Sequence, residues 1–451
     1  MNVVSLKGPG SDGGISTALE HLHKSGGRNQ SWWYLAQDQI RCQTRSAVRH
    51  IPSENIPAQI GDAHYQFCHS FIWPIMHSRP EQACYKEEDF FLYKRLNTIF
   101  ANQIERLQSH DCYFVQSYEL ALVPKLLKRS GRQSVIFWPA PWPKSIPAQY
   151  SAPILEIAES LLAAKIIAFN TKADADNFNN FIDQQLPYIE SSRSFGGVAK
   201  VIVAPMGIDS EQWKSQSRTL AGQQTSIDLP AAPYVLSIDP CDQSSGVELR
   251  LKAIDLLFTR YPELKEQLTF VQICGRTSPG IKANDSYWKD CQEASASLNS
   301  KHATTSWKPL VSLPQTLSTL DLTSLYSRAA VMLVTAVHDG LNLSAKEFIA
   351  SQSPENPGIL VLADQSSLAI DEEFARAAIT FKTESLPNDY ASEQNTIETI
   401  LAATLRGLRL PTAEKQRRME MLTEQLQKNN LQQWCNQFTS VQNNGDLAAA
   451  V

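Results

Sequence analysis

Residues 331–351, VMLVTAVHDGLNLSAKEFIAS, constrain the fold more than any other stretch. Val331 to Thr335 carries no charge, the pattern of a strand buried on both faces. It runs abruptly into Ala336-Val337-His338-Asp339-Gly340, and a helical pattern opens near Asn342. Gly340 tolerates a tight turn that a side chain would resist. Backbone N–H groups from Gly340 through Leu341 and Asn342 to Leu343 would then point out of the helix start. Aligned peptide dipoles place roughly half a positive charge there, a natural seat for a phosphate. Glu347, one turn further in, could accept bonds from a ribose diol. Spacing alone leaves an ordinary strand-to-helix connection, capped by an Asp, equally open.

A chain of 451 residues exceeds what one core supports and predicts two domains or three. With 43% hydrophobic and 19% charged residues it has the balance of a soluble globular protein. A net charge of −5 offers no basic footprint for nucleic acid. No apolar run approaches the ~20 residues that span a bilayer. The first residues, MNVVSLKGPGSDGG, lack the apolar core of a signal peptide. Eight Cys without a CxxC pair argue against a zinc site or a disulfide framework. They read as reduced thiols of a cytoplasmic protein without membrane or nucleic-acid partners, with Cys112, Cys274 and Cys435 as core fillers.

Strand and helix patterns alternate along the chain, which predicts an α/β protein with parallel sheets covered on both faces. Met1 to Leu6 is an apolar strand that enters the glycine-rich loop from Lys7 to Gly14, followed by a helix from Ile15 to Lys24. That layout can bring backbone close to a phosphate, although its glycine spacing is neither GxGxxG nor a Walker loop. Tyr65 to Arg79 reads as an irregular aromatic segment. Ser215 to Pro233 is polar and reads as an interdomain linker. Strand and helix alternation resumes at Tyr234, and a last helix from Asn430 to Phe438 is expected to return to the first domain.

The pieces WPIMHSRP, FWPAPWP, VAPMGID, VQICGRTS, VTAVHDGLNLSAKEF, ENPGILVLADQS and NNLQQWCNQF stand in the order seen in trehalose-6-phosphate synthases. The chain resembles that family from about Val3 to Phe438, most closely at DGLNLSAKE. The resemblance implies a GT-B fold, two doubly wound Rossmann-like domains facing a cleft. Their expected bounds are 1–220 and 233–428, with 429–451 as a final helix and tail. It implies a retaining glycosyltransferase that moves a sugar from a nucleotide sugar to a sugar- or polyol-phosphate acceptor. No metal or cofactor is implied, the nucleotide sugar being a substrate. Residue by residue, Gly13 and Gly14 would approach the donor phosphate and Asp339 would reach sugar hydroxyls as the catalytic residue. Gly340, Leu341, Asn342 and Leu343 would meet the diphosphate, and Glu347 the ribose. Trp73 matches the acceptor-pocket Trp, and Trp33, Tyr65, His77 and Lys7 complete the expected acceptor set.

Departures concentrate near the reacting sugar. The family's DRLDYTKG becomes Asp239-Pro240-Cys241-Asp242-Gln243-Ser244-Ser245-Gly246, so two cations that neutralise the leaving diphosphate are replaced by Pro240 and Ser245. VHDYHL becomes Val115-Gln116-Ser117-Tyr118-Glu119-Leu120, and two further family histidines align with Pro139 and Asn170. His338 and Arg276 are candidate replacement donors to a phosphate. Two alternatives accompany the transferase reading: a degenerate homologue that binds ligand or regulates an active paralogue, and a pseudo-glycosyltransferase with a changed donor. Homo-oligomerisation is left open.

Overall fold

The computed structural model describes the chain except residues 12, 26–29, 37–38, 45–55, 107–111, 190–198, 221–224, 232, 315, 384–389 and 444–451. Asp12 of the glycine-rich loop, part of the expected linker and the expected tail after 443 therefore lie outside the described residues. The chain divides into two compact units: Met1–Gly207 with the segment that begins at Leu431, and Ile208–Asn430.

The first unit runs β1 (Asn2–Val4), α1 (Gly14–Ser25), β2 (Ser31–Ala36), β3 (Gln39–Thr44), α2 (Ala58–Gln66), α3 (Trp73–Met76), α4 (Glu87–Glu105), β4 (Cys112–Gln116), α5 (Val123–Arg129), β5 (Gln133–Trp138), α6 (Ser151–Leu161), β6 (Ile166–Phe169), α7 (Lys172–Ile189) and β7 (Lys200–Val203). Its sheet has the order β3-β2-β1-β4-β5-β6-β7. All pairs are parallel except β2 with β3, an antiparallel edge that the sequence patterns did not foretell. Side-chain alternation sorts the strands onto two faces. Tyr113, Val115, Ile136 and Trp138 enter the main core. Phe114 and Phe137 turn the other way.

Tyr65 to Arg79 is not irregular. It continues α2 through a π-helical turn over Phe67–Ile72 into α3. Tyr65, His69, Trp73 and His77 recur every four residues, and two neighbouring pairs of rings meet: Tyr65 and His69 at 4.5 Å, Trp73 and His77 stacked at 3.8 Å.

The second unit runs α8 (Ser210–Thr219), β8 (Tyr234–Cys241), α9 (Val247–Arg260), β9 (Thr269–Arg276), α10 (Lys282–His302), β10 (Leu310–Leu313), α11 (Thr319–Arg328), β11 (Val331–Val334), α12 (Leu343–Ala350), β12 (Ile359–Ala363), α13 (Glu372–Ala377), β13 (Ile379–Phe381), α14 (Tyr390–Arg409) and α15 (Thr412–Lys428). Its parallel sheet has the order β10-β9-β8-β11-β12-β13. The uncharged strands feed two cores by strict alternation: Val235, Val331, Leu333, Ile359 and Val361 to one face, Leu236, Met332, Val334, Leu360 and Leu362 to the other. The start of the expected linker is helical instead. Asp209 caps α8 by accepting from the Gln212 N–H at 3.0 Å, and Trp213 packs edge-on to Tyr326.

The last helix, α16 (Leu431–Asn443), belongs to the first unit. Trp434 and Phe438 are buried and meet Phe114 and Phe137 edge-on. In each sheet the order reverses at one strand, β1 in the first and β8 in the second. Doubly wound sheets bind ligands outside the carboxyl ends of the strands at such a switch point.

Candidate active site

In the second unit the switch point lies between β8 and β11, and both strands leave it as the loops singled out in the sequence. Asn342 caps α12, its Oδ1 accepting from the Ala345 N–H at 3.0 Å. This fixes the turn before the helix and satisfies the Ala345 N–H. Asp339 is held on both oxygens. Oδ1 accepts from the Ser367 N–H at 2.5 Å, and Oδ2 from Asn342 Nδ2 at 2.8 Å. Its carboxylate therefore organises the loop as well as being available at it.

The neighbouring loop, 242–246, is sewn to this one. The Val337 N–H donates to Ser244 O at 2.8 Å, and Thr335 Oγ1 to Ser245 O at 2.8 Å. Within the loop, Asp242 Oδ1 accepts from Ser244 Oγ at 2.6 Å and from the Ser245 N–H at 3.2 Å. Gly246 is left-handed, with φ 64°. The positions of the family's two cations, Pro240 and Ser245, thus hold an exposed ring and a buried hydroxyl tied to Asp242. Below them Arg250 is 1% exposed. Its Nη1 donates to Asp239 Oδ2 at 2.6 Å and to Thr335 Oγ1 at 2.9 Å, joining the ends of β8 and β11.

The charges are strongly shaped by burial. Burial pushes the Asp239 carboxyl up against the pull of Arg250, and the nearby Asp339 and Asp242 push the same way. Burial brings Lys346 down to about 8, with Asp371 and Asp339 opposing. Burial also raises Glu347 to about 7, although the Tyr326 hydroxyl donates to its Oε2 at 2.9 Å.

The first unit has its own switch point, between β1 and β4. Gly8 follows β1, where a Cβ would stand 2.3 Å from the Tyr34 ring. Gly10 and Gly13 have positive φ, 75° and 112°, and open space where a Cβ would project. The Gly10 N–H donates to Glu20 Oε1 at 2.9 Å, so one amide of this loop is spent internally. Opposite, Ser117 holds φ 74°, a strained backbone for a residue with a side chain. The segment after it is clamped: Tyr93 donates to Tyr118 O at 2.6 Å, while His64 Nε2 and Asn97 Nδ2 donate to Glu119 O at 2.8 and 3.1 Å. Burial lowers His69 to about 4, with Lys7 adding to the shift. The Glu119 carboxyl is pushed up by burial, with Ser117 and Lys7 opposing.

The second unit brings Asp339, Gly340, Leu341, Asn342, Leu343 and Glu347 together at one strand end. His338 lies in the same loop, half-buried. Arg276 ends β9, and its Nε and Nη2 both donate to Asp285 Oδ1, at 3.0 and 2.7 Å. The first unit holds Lys7, Gly13, Gly14, Tyr65, Trp73, Trp33 and His77. Trp33 is 1% exposed, because alternation on β2 turns its indole into the core. His77 is buried under Trp73, with Nδ1 2.8 Å from Trp73 O. Arg250, Thr335, Tyr326 and Ser367 were not foreseen as site residues. Only Arg250 carried a signal, an arginine among Val247, Leu251 and Ile254 on the apolar face of α9. Among the described residues no group of three His, Cys, Asp or Glu could hold a metal ion, and no helix is long and apolar enough to cross a membrane.

The model of glycosyltransferase family 20 matches residues 10–444. A trehalose-6-phosphate synthase of Cronobacter sakazakii is 27% identical over 402 residues, covering 86% of this chain and 81% of its own. The solved structure of an α,α-trehalose-phosphate synthase (UDP-forming) from Burkholderia vietnamiensis superposes with a TM-score of 0.82 at 23% identity, covering 98% of both chains. Another from Burkholderia xenovorans, in complex with glucose-6-phosphate, gives 0.79 at 22% identity over 97% of this chain and 98% of that one. The two doubly wound units are those of the GT-B type, and the chain belongs to glycosyltransferase family 20, as a glycosyltransferase of the trehalose-6-phosphate synthase type.

Proposed function

We propose that the chain transfers a sugar, with retention, from a nucleotide sugar to a sugar- or polyol-phosphate acceptor, without a cofactor. The observation that carries this reading is the paired loop at the β8/β11 switch point, where Asn342 caps α12 and the 242–246 loop is tied to Val337 and Thr335. Its N–H groups would hold the diphosphate through backbone donors and the helix dipole. That explains how the site could persist after Pro240 and Ser245 took the cations' places. Glu347 would accept the ribose hydroxyls, and Asp339 would contact the sugar. Arg276 and His338 would add donors to the phosphates, and Gly13 and Gly14 would approach them from the glycine-rich loop. The acceptor would be held by Lys7, Tyr65, Trp73 and His77, with the Lys7 ammonium on its phosphate.

In the transfer itself the acceptor hydroxyl would attack from the face that the diphosphate leaves, passing its proton to the departing phosphate oxygen. The stabilising charge would come from fixed backbone dipoles, whose strength depends on preorganisation rather than on mobile cations. The named product of the Burkholderia vietnamiensis relative favours a uridine nucleotide, and the ligand of the Burkholderia xenovorans relative favours glucose 6-phosphate as acceptor.

The test is calorimetric titration of the full chain with UDP, GDP, ADP and their glucose conjugates, followed by product analysis with glucose 6-phosphate and glycerol 3-phosphate. Micromolar binding of one nucleotide, about −8 kcal/mol, followed by turnover, supports the reading. Binding of none overturns the donor site and leaves a regulatory or scaffolding role.

A further inference from the structure

The turn that joins α2 to α3 is π-helical over six residues, Phe67–Ile72. Such turns are rare and collect at functional sites, where the extra residue re-aims the side chains around it. In an α-helix four residues overshoot one revolution by about 40°, so a row spaced by four drifts around the helix. A π turn takes more residues per revolution and opposes that drift. Tyr65, His69, Trp73 and His77 are thereby kept nearer one side than α-helical geometry alone would keep them. The turn packs on residues 118–120, and the Trp73 ring lies 6.1 Å from that of Tyr118. The row therefore stands just beyond the carboxyl end of β4, at the switch point of the first unit.

Phe67, Cys68, Phe71 and Ile72 are buried, which leaves His69 and Ser70 as the partly exposed residues of the turn. Ser70 is committed. Its Oγ donates to Gln66 Oε1 at 3.1 Å, and its carbonyl oxygen accepts from the Cys84 N–H at 2.7 Å. The histidines on either side are committed too, His64 Nε2 to Glu119 O and His77 Nδ1 to Trp73 O, each at 2.8 Å. Neither ring nitrogen of His69 has a hydrogen-bond partner among the described residues. Its ring meets that of Tyr65 at 4.5 Å. Burial brings its pKa to about 4, so at neutral pH the ring is uncharged and offers one N–H donor and one bare nitrogen. An uncharged imidazole pulls weakly on a phosphate, but it matches a hydroxyl, which both donates and accepts.

We propose that His69 is a specificity-determining residue that hydrogen-bonds a ring hydroxyl of a cyclic sugar phosphate, whose apolar face lies along Tyr65 and Trp73. This role rests on the reading above that the segment holds the acceptor, and it narrows the acceptor from sugar- or polyol-phosphates to cyclic ones. The C–H face of a pyranose is flat and apolar and can cover an aromatic ring, whereas a glycerol chain has no such face.

The experiment measures binding of glucose 6-phosphate, its 2-, 3- and 4-deoxy analogues and glycerol 3-phosphate to the full chain by calorimetry, with and without UDP. Glucose 6-phosphate should bind at least about tenfold more tightly than glycerol 3-phosphate, and at least one deoxy analogue should lose roughly tenfold. His69→Phe keeps a ring beside Tyr65 and removes both nitrogens. It should lose roughly tenfold for glucose 6-phosphate and should no longer distinguish that sugar from the weakened deoxy analogue. His69→Gln, which restores a donor and an acceptor, should regain part of the loss. The deoxy comparison on the parent chain needs no variant and decides the matter if His69→Phe fails to fold. Equal binding of glycerol 3-phosphate, no deoxy analogue weakened, or the same discrimination in His69→Phe as in the parent overturns the role of His69 and leaves the transferase reading standing. If none of these phosphates binds in either condition, the acceptor reading itself has failed and the role of His69 falls with it.

Discussion

A Cβ on Gly246 would stand 2.4 Å from the carbonyl oxygen of Thr335. The left-handed backbone of Gly246 lets β8 turn into α9, and its bare Cα lets the end of β11 pass close beside it. A side chain would violate both conditions. Gly246→Ala should cost at least about 2 kcal/mol, the left-handed penalty of ~1–2 kcal/mol plus the clash, and should weaken nucleotide binding in the survivors. Urea denaturation checks the first effect and calorimetry the second. A variant as stable as the parent would mean that the two loops are not so tightly joined.

The Arg250–Asp239 pair is buried on both sides, at 1% and 4% side-chain exposure. Removing one partner strands the other charge in the core. Arg250→Met should destabilise the second unit by about 3–5 kcal/mol, whereas replacing both residues with apolar ones should cost much less. Denaturation of the single and double variants measures the difference.

Glu347 supplies a pH dependence whose sign can be worked out. Its pKa is raised from 4.5 to about 7, so between those values the unfolded chain has released a proton that the folded chain keeps. This contribution to stability is fully present below pH 4.5 and is lost as pH rises through 7, by about 3 kcal/mol. Nucleotide affinity should move oppositely, rising through pH 7 as the carboxylate becomes able to accept ribose hydroxyls. Glu347→Gln should flatten both profiles. Paired stability and affinity titrations from pH 5 to 8.5 would show it.

Asp339→Ala should abolish turnover while leaving UDP affinity within a few-fold. It should also cost about 1–3 kcal/mol, since the Ser367 N–H and Asn342 Nδ2 lose their acceptor. Unchanged turnover would remove Asp339 from the reaction.

The strand-turn-helix around Asp339 was legible because every part of it is consecutive in sequence. The uncharged run of β11, Gly340 and the capping Asn342 write it in one line. The groups that hold it were not. Arg250, Tyr326 and Ser367 arrive from other elements; Arg250 alone left a trace, its place on the apolar face of α9, and that trace names no partner. The aromatic segment misled for a local reason: Pro74 suggests a break, yet the helix runs on through it, with the π-helical turn over Phe67–Ile72 just before it. The short strands β3, β10 and β13 were missed because three to six residues of mixed polarity barely differ from loop.

The return of α16 to the first unit sets an order of events during synthesis. Residues 208–430 are contiguous, so that unit can close as soon as it leaves the ribosome. The unit begun first must wait. Until Trp434 and Phe438 emerge, Phe114 and Phe137 lack the rings that meet them edge-on, and the first unit remains the part more exposed to aggregation and to chaperones.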